Sequence, residues 1–386
     1  MQVNNPDNTN HTNSNFALPY TNNLALYIPG KPIETLAREK NLSKIIKLAS
    51  NENPFGPSPL VKQAIIDTIS QVSLYPDPDQ YLLKQKLANL YNINTNQLAI
   101  GNGSDELIRL IMQAFVSKEN NVIAPKYSFS SYYINSQLVE AKYIVSDIHE
   151  NNSWQNNLEN ILANINKNTK LICIANPNNP TGSYLAPDLI CEFIKKVPEN
   201  ILILLDEAYF EYIKYNSTSR DYPYYQDYSL DLINQYNNII SLRTFSKAYG
   251  LAGLRVGYAI ANPDLITVIN KLKQPFNVNR IAQIAATAAL LDQKYIEKIV
   301  AINNQEREKL CQILNGLHID YMPSETNFIT IYNIDAQKLY NQLLDLGIIV
   351  RPVNNYGLNN HLRISIGTPE ENNFLIANLT RLINLS

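Results

Sequence analysis

Residues 201–205, Ile-Leu-Ile-Leu-Leu, are apolar at every position and stop at Asp206. A strand with one wet face alternates apolar and polar side chains, so an unbroken apolar run needs cover on both faces. Such strands belong to a mostly parallel sheet with helices on either side, and ligands bind in the crevice beyond the strands' carboxyl ends. Residues 171–175 repeat the pattern. Shorter strand signals stand at 122–124, 143–146, 239–242 and 257–261, another opens the stretch 98–115, and helical spacers such as 187–196 lie between them. Strands alternating with helices predict an α/β domain, a mostly parallel central sheet with right-handed crossovers and helices on both faces.

The pattern changes near the C-terminus. The stretch 279–314 reads as mainly helical with a break near Asp292. From residue 326 the expectation is a strand at 328–331, a helix at 336–346, strands at 348–352 and 362–366, and a last helix at 370–385. That is a smaller α+β lobe. The expected division is an Asn-rich disordered tail at 1–20, a large domain at 51–284, and a small domain made of 21–50 and 285–386.

Composition narrows the function classes. The 386 residues carry a net charge of −2 and no basic run, so neither nucleic acid nor an acidic membrane surface is an expected partner. The three cysteines, Cys173, Cys191 and Cys311, are widely spaced in apolar surroundings and read as buried free thiols. The four histidines show no ligand spacing, and no metal site is expected. The N-terminus has neither the basic region nor the apolar core of a signal peptide, which points to a cytoplasmic protein.

Four stretches carry chemistry. In residues 238–257 a short apolar strand delivers Thr244, Ser246 and Lys247 into a turn, followed by Gly250, Gly253, Arg255 and Gly257; three of the chain's 12 glycines fall here. A hydroxyl, an ammonium and a guanidinium so close together suit an anion, most simply a phosphate. In residues 98–115 a Gly-x-Gly-Ser-Asp turn opens a helix, so the amides of Gly103, Ser104 and Asp105 would point out of a helix N-terminus, another anion site. Residues 171–182 run from a strand into Asn-Pro-Asn-Asn-Pro-Thr-Gly, and residues 206–209 read Asp-Glu-Ala-Tyr. Singly, each has an ordinary explanation, such as a solvated Lys, a helix cap or a rigid turn.

Together they resemble the lysine segment, the Asp-x-x-Tyr strand and the Asn-Pro-Thr-Gly turn of the fold-type I aminotransferases that use pyridoxal 5'-phosphate. The resemblance extends from about residue 27 onward. Residues 51–57, Asn-Glu-Asn-Pro-Phe-Gly-Pro, are similar to the N-terminal signature of the histidinol-phosphate aminotransferases. The resemblance implies that Lys247 holds the cofactor covalently and then moves the substrate's Cα proton. Asp206 would keep the ring nitrogen protonated, and Asn179 and Tyr209 would hydrogen-bond the ring's phenolic oxygen. Ser104, Ser246, Arg255 and the Gly103 and Asp105 amides would hold the phosphate, with Tyr75 reaching over from the second subunit of a homodimer. Tyr127 would stack on the ring. Arg363 would anchor the substrate carboxylate, with Arg351, Tyr27 and Asn53 also toward the substrate. The implied reaction moves an amino group between glutamate and imidazole acetol phosphate, giving histidinol phosphate and 2-oxoglutarate. Within the same fold, an aromatic-amino-acid aminotransferase or a threonine-phosphate decarboxylase stays open; outside enzymes, so does a domain that only senses the cofactor.

Overall fold

The computed structural model describes residues 16–18, 20–21, 24, 30–42, 44–150, 153–213 and 228–384. Tyr27 and most of the Asn-rich tail lie outside the described residues. The strands in chain order are β1 (Ile46–Lys47), β2 (Leu98–Gly101), β3 (Asn121–Pro125), β4 (Lys142–Ser146), β5 (Ile148–His149), β6 (Gln155–Asn156), β7 (Thr169–Ala175), β8 (Leu202–Asp206), β9 (Ile239–Thr244), β10 (Gly257–Ala261), β11 (Asp320–Tyr321), β12 (Phe328–Tyr332), β13 (Ile348–Ile349), β14 (Arg351–Pro352) and β15 (Leu362–Ser365).

Seven of these strands form the central sheet in the order β2-β10-β9-β8-β7-β3-β4. Four of its pairings are parallel; only β10 runs against its neighbours, β2 and β9. The unbroken apolar run in β8 serves both faces. Ile203 and Leu205 pack with Ile172, Ile174 and Ile239 on one side, and Leu202 and Leu204 with Leu171, Cys173, Ile240 and Leu242 on the other. Because β10 is reversed, its first residue, Gly257, lies opposite Gly101 of β2 and Thr244 of β9. One rim of the sheet therefore collects Gly101, Ala175, Asp206, Thr244 and Gly257.

The helices Pro187–Ile194, Ala336–Asp345 and Pro369–Asn384 end within two residues of expectation, and Pro59–Thr68 and Tyr81–Tyr91 precede them in the chain. Pro59–Thr68 starts where its chemistry requires, with Pro at the first position and the Ser58 hydroxyl accepting from the Val61 N–H at 3.4 Å. The expected break near Asp292 separates Arg280–Ala289 from the long helix Gln293–Gly316.

A second, four-stranded antiparallel sheet, β11-β12-β15-β14, has its own core of Leu48, Leu310, Leu314, Ile329, Leu343, Ile364 and Leu379. The single strand expected at 348–352 is two. β13 pairs with β1 (Ile46↔Ile348) and β14 with β15 (Arg351↔Arg363), because the chain turns about the buried Val350 to serve two partners. Residue 285, expected to begin the small domain's C-terminal part, lies mid-helix, and Ala285, Ala286 and Ile296 pack in the large core. The passage between cores falls inside Gln293–Gly316, whose later Leu310 and Leu314 belong to the smaller one. The small side chains of Arg280–Ala289 let it lie close against Pro59–Thr68, which keeps it with the large sheet.

All three cysteines are free, but only Cys173 is buried; Cys191 and Cys311 are half-buried, each at the edge of a core. Among the described residues no helix is long and apolar enough to cross a membrane.

Candidate active site

Beyond the rim of the central sheet lies a cleft walled by Ser104, Asp105, Phe129, Ala175, Pro177, Asn179, Asp206, Tyr209, Thr244, Ser246, Lys247 and Arg255. Each stands at the end of a strand or in the segment that follows one, so the sheet register itself brings together residues far apart in sequence.

Lys247, three residues past β9, is partly exposed in the cleft, and its Nζ donates to the Ser50 carbonyl at 3.5 Å. Burial, with Arg363 next and Arg255 after it, brings the ammonium down to about 8. Arg255 is a near neighbour in sequence; the larger share of Arg363 becomes visible only when β15 is seen to carry it beside the cleft.

The phosphate-sized end of the cleft is built from close backbone approach. Gly103 has φ +84°, and a Cβ there would stand 2.7 Å from Nη2 of Arg255; a Cβ on Gly257 would stand 2.6 Å from the Ser104 nitrogen. Both positions therefore demand glycine. Arg255 donates through Nη1 to the Ser246 hydroxyl at 3.3 Å and to the Ala252 carbonyl at 3.2 Å. The Asp105 carboxylate accepts from the Ser131 hydroxyl, so it is engaged away from an incoming anion.

Asp206, at the end of β8, is 5% exposed. Tyr132 donates to its Oδ2 at 2.7 Å and the Ala208 N–H to its Oδ1 at 3.2 Å. Burial pushes the carboxyl up to about 6, against the opposing effect of these two hydrogen bonds. Tyr132 was not singled out from sequence; its only signal is an aromatic five residues beyond Tyr127 in a stretch holding four.

Tyr209 is 4% exposed and burial pushes its phenol up to about 12. It packs edge-on to Phe328 with ring centroids 5.4 Å apart and accepts from Nδ2 of Asn51 at 2.8 Å. Arg363, 7% exposed, donates to Asn179 Oδ1 at 2.5 Å and to the Ala49 carbonyl at 3.0 Å. Its Nε is buried with no hydrogen-bond partner, an orphan donor at the cleft.

Several expected residues stand elsewhere. Tyr127 does not wall the cleft: at φ +58° its hydroxyl donates to Glu150 at 3.2 Å and its ring lies 6.2 Å from that of Trp154. The aromatic wall is Phe129, two residues on, because the left-handed backbone at Tyr127 redirects the chain. Asn53 is tied to backbone, donating to the Ala248 carbonyl at 2.8 Å while its Oδ1 accepts from the Phe55 N–H at 3.0 Å, so it braces the lysine loop and offers a substrate little. Arg351 pairs across the sheet with Arg363 and lies beside Gly30, outside the cleft wall. Tyr75 is 77% exposed and stacks on Phe276 at 4.5 Å, away from its own chain's cleft.

The amine must be neutral to attack, so covalent capture of pyridoxal phosphate by the cofactor-free protein is expected to rise with pH through a midpoint near 8, the value at Lys247. Because Arg363 is the first electrostatic cause of the lowering, Arg363→Ala should move that midpoint upward. Stopped-flow absorbance across pH 6 to 10 measures both.

The donor set fits pyridoxal phosphate: a glycine cradle with an arginine for a phosphate, a buried carboxylate for a ring nitrogen, and an amine of lowered basicity. The family model described as Aminotransferase class I and II matches residues 43–379. Histidinol-phosphate aminotransferase 2 of Haemophilus influenzae (strain 86-028NP) is 41% identical over 364 residues, covering 94% of this chain and 96% of that protein. Histidinol-phosphate aminotransferase 1 of Mannheimia succiniciproducens is 43% identical over 363 residues, with the same shares covered. The crystal structure of histidinol-phosphate aminotransferase from Sinorhizobium meliloti in complex with pyridoxal-5'-phosphate matches with a TM-score of 0.84 over 97% of this chain and 99% of that one, at 29% identity. With its lysine, carboxylate and phosphate cradle on one rim of the sheet, the chain belongs to the class I and II aminotransferases.

Proposed function

We propose that this enzyme is a histidinol-phosphate aminotransferase, moving an amino group between glutamate and imidazole acetol phosphate. The observation that carries the chemistry is the meeting of Lys247 and Asp206 in one cleft wall, with the buried Arg363 bonded to Asn179 of the same wall; the substrate follows from relatives of that name, 41% and 43% identical over almost the whole chain.

Bound pyridoxal phosphate supplies the electron sink for loss of the substrate's Cα proton. The chain supplies the rest. Lys247, held as a weak ammonium by burial and Arg363, takes that proton and returns it as general base and acid. Asp206 holds a proton on the ring nitrogen, a cation that would favour the ionised carboxylate. Ser104, Ser246, Arg255 and the amides of Gly103 and Asp105 hold the phosphate, Asn179 and Tyr209 bond the ring oxygen, and Phe129 takes the stacking place expected of Tyr127.

Arg363 receives the glutamate carboxylate with the fork that Asn179 and Ala49 orient. Removing such a buried charged partner costs about 2–5 kcal/mol, so Arg363→Ala is expected to lower kcat/KM for glutamate by roughly 30- to 4,000-fold. Arg363→Lys should recover little of it, since a point charge cannot replace a planar fork. Steady-state kinetics with glutamate as donor reads both.

Arg351 and Tyr27 belong to the proposed site for the phosphate of histidinol phosphate, and Tyr75, exposed on one subunit, to the partner's phosphate cradle in a cytoplasmic homodimer. With this reading goes a division into a large domain on the seven-stranded sheet and a small one on the four-stranded sheet. The test is a single-turnover half-reaction on the purified holoenzyme, following loss of the cofactor's absorbance on adding histidinol phosphate or phenylalanine. Rapid conversion by the first and slow by the second is expected; the reverse preference would move the function to aromatic amino acids.

A further inference from the structure

Three consecutive residues where the Asn-Glu-Asn-Pro stretch begins, Ala49, Ser50 and Asn51, each hold one side chain of the site. The Ala49 carbonyl accepts from Arg363 at 3.0 Å, the Ser50 carbonyl from Lys247 at 3.5 Å, and Asn51 donates to Tyr209 at 2.8 Å. Asn51 is 1% exposed and sits at φ +55°, a left-handed conformation that Asn tolerates better than most residues. Every polar group on it is engaged. Its N–H donates to the Ser365 hydroxyl at 2.9 Å, its Oδ1 accepts from the same hydroxyl at 3.1 Å, and its carbonyl accepts from Asn327 at 2.9 Å.

This ring decides which way the amide faces. Ser365 Oγ accepts from the Asn51 N–H, so its own hydrogen goes to Oδ1, and Nδ2 is left to face Tyr209. An amide N–H donating into the phenol oxygen occupies its lone pair, and the phenol's hydrogen must then point elsewhere. Among the described residues no protein acceptor takes that hydrogen, and Tyr209 walls the cleft.

We propose that Asn51, oriented by Ser365, is a positioning residue that turns the Tyr209 hydroxyl hydrogen into the cleft, and so links the strand carrying Arg363 to the hydrogen bonding of the cofactor. The inference rests on the aminotransferase reading of Tyr209 as a donor to the ring oxygen. Ser365 lies two residues from Arg363 on β15, so a shift of that strand would be felt at the Asn51 amide.

The test is a substrate-free pH titration of the holoenzyme's absorbance. A donor to the ring oxygen most favours the form in which the neighbouring Lys247 nitrogen has lost its proton, so losing the donor raises the midpoint. In Asn51→Asp the carboxylate accepts from Tyr209 and draws its hydrogen out of the cleft. The expected result is a rise of roughly one to two pH units, the scale of one hydrogen bond to a charged oxygen. Tyr209→Phe should produce a rise of similar size, and adding Asn51→Asp to Tyr209→Phe should add nothing. An unchanged midpoint in folded, cofactor-loaded Asn51→Asp would overturn the proposal, as would an equal further rise in the Tyr209→Phe background, which would mark the new charge acting on its own. If Asn51→Asp does not fold, Asn51→Ala serves: a rise that disappears in the Tyr209→Phe background supports the proposal, and no rise overturns it. Failure of the wild-type enzyme to convert histidinol phosphate would sink the functional reading and leave this titration standing.

Discussion

Lys247→Ala is expected to lower transamination on the order of 10⁴-fold, the upper range for removing a positioned general base, with loss of covalent cofactor attachment added to it. The size follows from how little around it could substitute. Arg255 is tied to Ser246 and the Ala252 carbonyl, Arg363 to Asn179 and the Ala49 carbonyl, and Asp206 to Tyr132 and the Ala208 N–H. The purified variant should still bind pyridoxal phosphate through the cradle of Gly103, Ser104, Ser246 and Arg255, but release it on dialysis. Full turnover by this variant would remove Lys247 from the mechanism. Added methylamine should restore a small part of the rate if the missing group is an amine.

The second large effect is on stability. Glu207 and Arg243, each fully buried, meet across β8 and β9: the guanidinium reaches Glu207 Oε2 through Nε at 3.1 Å and Nη2 at 2.9 Å. The Ser241 and Ser229 hydroxyls donate to the same oxygen at 2.6 and 2.9 Å, and the guanidinium lies 3.8 Å over the Phe210 ring. Arg243→Met leaves that carboxylate buried without its counter-charge, which costs about 3–5 kcal/mol, a large part of the roughly 5–15 kcal/mol of a folded domain. Urea denaturation should show the midpoint fall accordingly, while activity per folded molecule changes little because the pair lies outside the cleft wall. The double change Glu207→Leu with Arg243→Met should be less damaging than the sum of its parts, since the two opposite charges are removed together. Additive losses would mean that the two residues do not act as a pair.

Residues legible in the sequence are those whose position follows from a strand end. Asp206 closes an apolar run and Lys247 follows another, so strand pairing alone brings them to one rim. At Gly103 the backbone comes close to the Arg255 guanidinium, and at Gly257 to the Ser104 nitrogen. Side-chain direction that depends on one backbone angle was not legible. Tyr127, at a left-handed φ, lies off the wall and Phe129 is on it; Asn51, also left-handed, bonds Tyr209, while Asn53, expected toward the substrate, is tied to backbone.

The amino-acid sequence by itself determined the α/β layering, the order of the strands' functional ends and the cofactor chemistry, because these rest on local apolar runs and short motifs. Only the tertiary structure decided that Arg363 lowers the Lys247 pKa, that Tyr132 supports Asp206, and that residues 49–51 tie the small sheet to the cleft. The reason is separation: Asn51 and Ser365 lie 314 residues apart, and no local pattern records a hydrogen bond whose partners meet only after two sheets have packed.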